Sequence, residues 1–376
     1  MSRQKSSPRF RFSGAALFLC ILAFLVPALR EGDSTLYLLA AAVPGAMILC
    51  MTVLTRMFSL DRIVLSLSLF LSSMGILAFS GDSSAALSQA LRCSAGVASL
   101  VAGSLLVRSA QPSALTTLCS GFVGLLLLAG SLLSSSLSLP LSEAALVLLL
   151  ISFASCFSHS GSMVSLLPAL CGLALLLART DVPLAVLWSA VFLLLLWSAD
   201  GRLVPLLTAA GLVLLLFFGA ARLLPAPLFS APDRSRLSDF ISAGLIGSDD
   251  PAVIPGVSGV SLLPRLIGRY GLLFACLAFL LYLPLSLRGA SVACAARTRF
   301  LALLAMGSTL LIALQAISAL LALFGFLPLP SFSLPFLTSS LPALCAQLFL
   351  AGMVCGVSGR NEADLAEDAH LAMLAK

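Results

Sequence analysis

Apolar runs of about 15 to 25 residues follow one another along almost the whole chain, near 13–29, 36–54, 62–80, 93–107, 114–133, 143–157, 162–178, 182–199, 203–221, 268–287, 299–323 and 335–357. A helix needs roughly 20 such residues to cross a hydrocarbon layer about 30 Å thick. In lipid a backbone has to satisfy its own polar groups, and a helix does so within a single segment. The pattern therefore predicts an all-α integral membrane protein, a polytopic helical bundle of about 12 spans. Charge content agrees: 10% of the residues are charged and 60% hydrophobic, whereas soluble domains average about 25% charged. The first run lacks a small-x-small exit and precedes many equal runs, so it reads as a span and not as a cleaved leader.

With the N-terminus placed inside, thirteen Lys and Arg residues fall in cytoplasmic segments and eight in outer ones. Five of those eight lie in or just beyond one long loop, which can translocate despite its charge. Both termini are thus expected in the cytoplasm. The net charge of +6 is a topology signal and gives no reason to invoke nucleic acid. The ten cysteines sit mostly inside apolar runs, without a CxxC pair, and the two histidines are far apart. That spacing supports neither a metal site nor a disulfide framework; small polarizable packing residues are the simpler reading.

Polar residues outside this pattern are few. The loop 222–267 carries Arg234, Arg236 and Arg265, with Arg269 just beyond it and Asp249 and Asp250 in "GSDDPA". Loops of that length are usually functional or disordered. Its apolar interlude "FISAGLIG" suggests that part of it folds back on the membrane. The tail 360–376 reads as a short amphipathic helix. Two carboxylates open spans, Glu143 in "LSLPLSEAALVLLL" and Asp181 in "LLARTDVPLAVLW". A carboxylate at a membrane boundary is costly unless solvated or paired, although a helix N-terminus also favours one. Both acids fall on the outer side with the cationic loop. Arginine forks pair phosphate well, so this end suits a phosphate-bearing lipid. Finally, "LPLPSFSLPFL" packs Pro328, Pro330 and Pro335 between two apolar runs. Proline removes a helical donor and clashes with the preceding turn, so the stretch breaks the helix.

Residues 315–359 resemble the C-terminal signature of the SEDS family, the FtsW/RodA/SpoVE-type proteins of bacterial shape, division and sporulation. Gln315, Ala316, Leu327, Pro328, Leu329, Leu334, Pro335 and Phe336 follow the family order Q-A-x-x-N-I-G, then L-P-L-T-G-x-P-L-P-F. "LSLPLSE" resembles F-x-x-Q-P-S-E, "RTDVPLA" resembles Q-P-D-L-G-T-A, and "SAGLIG" resembles the S-G-G-L-x-G of the family's large outer loop. The resemblance covers about residues 61–359 as a ten-span core. Residues 1–60 then form an N-terminal extension with two further spans, and 360–376 a cytoplasmic tail.

The resemblance implies the bacterial cytoplasmic membrane, an undecaprenyl-diphosphate-linked precursor of the lipid II type, and a class B penicillin-binding protein or a division, elongation or sporulation protein as partner. It implies peptidoglycan glycosyltransferase activity, with a divalent cation accompanying the lipid diphosphate. Several positions depart from the pattern. A gapless match from Pro255 to Gly271 puts Val260 where the family has an essential Asp. Leu146 replaces a Lys, Ala319 an Asn, and Ser339 to Ala343 the run Y-G-G-S-S. Asp249 and Asp250 are the weak candidates for a relocated catalytic base; a solvated turn is their plainer reading. Three readings stay open at this point: a glycan polymerase, an inactive scaffold or precursor-binding member, and a lipid or small-molecule transporter. Against the last, no internal repeat is visible, and buried mid-span charges look scarce.

Overall fold

The computed structural model describes residues 8–31, 34–58, 60–79, 82–133, 141–223, 262–323, 326 and 333–374. These form α1 (Pro8–Glu31), α2 (Ser34–Phe58), α3 (Arg62–Leu77), α4 (Ser83–Ser109), α5 (Ala114–Leu133), α6 (Leu141–Ser160), α7 (Ser162–Ala178), α8 (Val182–Asp200), α9 (Leu203–Leu223), α10 (Leu263–Tyr270), α11 (Leu272–Leu280), α12 (Tyr282–Cys294), α13 (Arg299–Leu323) and α14 (Leu341–Leu374). Among the described residues, nine helical segments are long and apolar enough to span a membrane, α11 and α12 counting as one. Three shorter apolar helices, Gly14–Val26, Arg62–Leu77 and Ser162–Ala178, complete the series. Each corresponds to one of the expected runs. The chain is a multi-pass helical membrane protein.

At the centre lies α3, buried without interruption from Val64 to Leu77. Asp61 caps its start, Oδ1 accepting from the backbone N–H of Ile63 at 3.0 Å and of Val64 at 3.3 Å. Four serines sit on this enclosed helix, and each hydroxyl donates back to a carbonyl one turn earlier, as Ser68 does to Val64 at 2.8 Å. Buried hydroxyls are tolerated when the helix itself supplies the acceptor. Between α5 and α6 the hydroxyls cross instead: Ser152 donates to the Thr117 carbonyl at 3.0 Å and Ser155 to that of Ser113 at 3.1 Å.

The most extensive helix pair is α4 with α14. A Cβ on Gly352 would sit 2.0 Å from the Leu100 carbonyl oxygen, and one on Gly103 2.5 Å from that of Phe349. Small residues allow such close backbone approach in membranes. Ser99 adds a hydrogen bond to the Cys345 carbonyl at 2.8 Å.

Four expected boundaries shift, among them the start of α4, at Ser83 and not near 93. The last span begins at Leu341, because Pro335 and Phe336 form a tight turn closed by a bridge between Leu334 and Leu337. The tail, expected as a separate short helix, continues α14 to Leu374. Its polar groups have partners on the bundle: Arg360 donates to the Val107 carbonyl at 3.1 Å, Asn361 to that of Val292 at 3.1 Å, and Arg297 pairs with Asp364 and Asp368. The tenth span runs from Leu272 to Cys294, further than its apolar run. Arg288, expected in a loop, therefore lies inside α12, where Nη2 pairs with Asp61 Oδ2 at 2.6 Å. The Asp61 carboxylate at the start of α3 thus offsets the charge that Arg288 brings into α12.

Candidate functional site

The turn 333–338 lies at the end of the bundle where α6, α8 and α14 begin, and polar side chains from separate helices hold it. Gln347 of α14 accepts from the Phe336 N–H at 2.6 Å through its Oε1. Gln315 of α13 donates to the Ser333 carbonyl at 3.3 Å, and Gln89 of α4 to that of Thr338 at 3.0 Å. Tyr282 of α12 donates to the Pro335 carbonyl and stacks on the Phe336 ring, with centroids 6.5 Å apart. Phe336 is fully buried at φ 65°. A bulky residue there is strained, and such strain persists only where the surroundings over-determine it.

Glu143 joins this turn from the first turn of α6. Its Oε2 accepts from Gln347 Nε2 at 3.1 Å, so one glutamine amide links the carboxylate to the Phe336 backbone. Asp181 is near enough for its charge to act on Glu143. It occupies the N-cap position of α8 but makes no capping hydrogen bond. Its partner is Arg179, Nε to Oδ2 at 3.3 Å. Burial raises the Asp181 carboxyl above the usual carboxylate range, and the charge of Arg179 works against that. Between the two, Thr180 has φ 62°; with Phe336 it is the other non-glycine residue with positive φ among those described. Arg179 Nη1 is buried without a hydrogen-bond partner there. An arginine held by one carboxylate, with a further donor unused, is suited to a second anion.

Of the other sequence candidates, Arg265 is exposed on α10, its guanidinium 5.0 Å from the Phe79 ring centroid. Arg269 is half-buried near the end of the same helix. α10 buries Leu263, Leu266 and Ile267, and the Leu262 N–H reaches the Leu337 carbonyl at 3.5 Å, tying α10 to the turn. Leu146 is buried core. Arg234, Arg236, Asp249, Asp250, Val260 and Pro328 lie outside the described residues. No group of three or more His, Cys, Asp and Glu able to hold a metal occurs among those described.

Sequence reasoning missed Gln347, Gln89, Tyr282 and Arg179 as parts of the site. A usable signal existed. The chain has five glutamines, and three of them, Gln89, Gln315 and Gln347, lie within apolar runs or at their edges. All three bond to the same turn. The sequence model of the cell cycle protein family FtsW/RodA/SpoVE matches residues 264–363, from α10 through the turn into α14. The match covers 100 of the 376 residues, the C-terminal part of the bundle. No curated protein matches the sequence. Among solved structures it resembles one described as a peptidoglycan synthase complex coordinating polymerization and crosslinking, at 17% identity and TM-score 0.63, over 81% of this chain and 99% of that one. The rod shape determining protein RodA of Thermus thermophilus is similar at 18% identity and TM-score 0.58, over 81% and 98% of the two chains. A point variant of that protein gives TM-score 0.59 at 18% identity, over 80% and 97%. The chain shares their fold.

Proposed function

We propose that this FtsW/RodA/SpoVE-type protein acts in peptidoglycan assembly in the bacterial cytoplasmic membrane, with both termini in the cytoplasm and the Glu143 end facing outward. Its ligand is an undecaprenyl-diphosphate-linked glycan precursor of the lipid II class. The observation that carries this reading is Glu143, the glutamate of the P-S-E-like motif, bonded through Gln347 to the turn in the family-matched segment. Arg179, paired with Asp181, supplies an unused guanidinium donor for a diphosphate. Any divalent cation used comes with the diphosphate as part of the ligand. The described complex of polymerization and crosslinking supports a penicillin-binding transpeptidase as partner.

Glycan transfer needs a base for the acceptor hydroxyl, usually worth about 10²–10⁴-fold, and positive charge at the departing diphosphate. Arg179 meets the second need. For the first, Val260 cannot take a proton, so binding with weak or no strand synthesis is the expected behaviour. The test is lipid II binding and polymerisation by the purified full-length protein, with and without a transpeptidase. Arg179→Gln should weaken binding about 10- to 100-fold, the ~1.5–3 kcal/mol of a charge-assisted hydrogen bond. Absence of lipid II binding overturns the proposal. Robust synthesis that Asp250→Ala abolishes assigns the base to Asp250.

A further inference from the structure

A cavity lies away from the turn, between α1, α2 and the start of α3, at the end of the bundle that holds Asp61. It measures about 360 Å³, within the roughly 300–1,000 Å³ of small-ligand sites. Two exposed arginines line it, Arg56 in the last turn of α2 and Arg62 in the first turn of α3. Thr52 and Thr55 lie beside them, and Leu17 and Ile48 form an apolar wall. The threonine hydroxyls donate to their own helix, to the Ile48 carbonyl at 2.9 Å and the Met51 carbonyl at 2.6 Å. With those protons engaged, the hydroxyl oxygens keep acceptor capacity, while the donors lining the cavity are guanidinium groups.

We infer that this cavity binds an anionic phospholipid from the leaflet at that end, its phosphodiester on Arg56 and Arg62 and an acyl chain along Leu17 and Ile48. Basic pockets between transmembrane helices are sites for anionic headgroups. Two arginines lining one cavity suit a phosphodiester, and the threonine acceptors match the free hydroxyls of a glycerol headgroup. The adjoining apolar wall favours a lipid over free phosphate, which has nothing to place there. The site owes nothing to the turn 333–338, and α1 and α2 precede the family-matched segment.

The experiment uses the full-length protein purified in detergent and native mass spectrometry with phosphatidylglycerol, phosphatidylethanolamine or inorganic phosphate added. Phosphatidylglycerol should bind at least tenfold more tightly than phosphatidylethanolamine. Arg56→Gln should reduce that binding about tenfold, or about 1.4 kcal/mol, and Arg56→Lys should restore part of it. Gly14→Leu offers a route without charge change. Gly14 borders the cavity, and a Cβ there meets nothing within 4 Å, so the leucine fills the space without disturbing packing. Equal binding of the two lipids overturns the inference. So does wild-type binding by both Arg56→Gln and Gly14→Leu, or displacement of the lipid by inorganic phosphate at matched concentration.

Discussion

Gln347 serves two groups with one amide, giving a donor to Glu143 and an acceptor to the Phe336 N–H. Replacing it by leucine, close in size, strands both inside the bundle. Gln347→Leu should cost about 1–3 kcal/mol for the unmet groups, read as a lowered thermal midpoint in detergent, whereas an exposed change such as Leu203→Met should leave the midpoint unchanged. Asp61 makes a pH prediction. Burial pushes its carboxyl up, but Arg288 and the N–H groups of Ile63 and Val64 outweigh that and hold it below the usual carboxylate value. A depressed folded pKa gives stability that is full above the unfolded value, near 3.9, and is lost as pH falls through the folded one. Acid titration of stability should show this limb, and Asp61→Asn should remove it. At neutral pH that variant should be destabilised by about 3–5 kcal/mol, the cost of leaving a buried charge without its partner. A flat acid limb in the wild type would refute the assignment. Neither group was legible in the sequence as a partner. Gln347 is uncharged and barely alters hydropathy, and Asp61 and Arg288 stand 227 residues apart.

At the scale of elements, the glycines divide into two kinds. Gly352 lies where α4 and α14 touch backbone to backbone, so the methyl of Gly352→Ala forces them apart at about 1–3 kcal/mol. Gly211 lies in the interior of α9, where an added Cβ meets nothing within 4 Å. Gly211→Ala should stabilise by up to about 1 kcal/mol, through helix propensity alone. Thermal unfolding of the two variants side by side checks the contrast; equal effects would mean that the close crossing is absent. Helix existence was readable from the apolar runs because length and hydropathy decide it. Pairing was not, since a glycine in an apolar helix looks the same whether it meets a carbonyl or lipid. The proline-rich stretch was readable as a break in helix, but its hold on three glutamines was not.

For the whole molecule, the alternation of helices gives a topology that cysteine labelling can check. On a Cys-free background, Ser235→Cys and Ser248→Cys should label from outside, and Ser291→Cys only after permeabilisation. Ser291 is exposed on α12; its labelling in intact cells would invert the orientation. The order of spans was legible because hydrophobic thickness sets a length that each run has to meet. The length of α14 was not, because charge at Arg360 looks like an end until its acceptors on α4 are known. That length has a mechanical consequence. Thirty-four helical residues at 1.5 Å each make a rod of about 51 Å, against roughly 30 Å of hydrocarbon. Gln347 grips the rod near one end, and Arg360, Asn361 and the Arg297 pairs grip it near the other. No proline interrupts it beyond Pro342. A continuous helix of this length is stiff along its axis, so an axial displacement imposed at the turn would carry to the opposite face of the membrane.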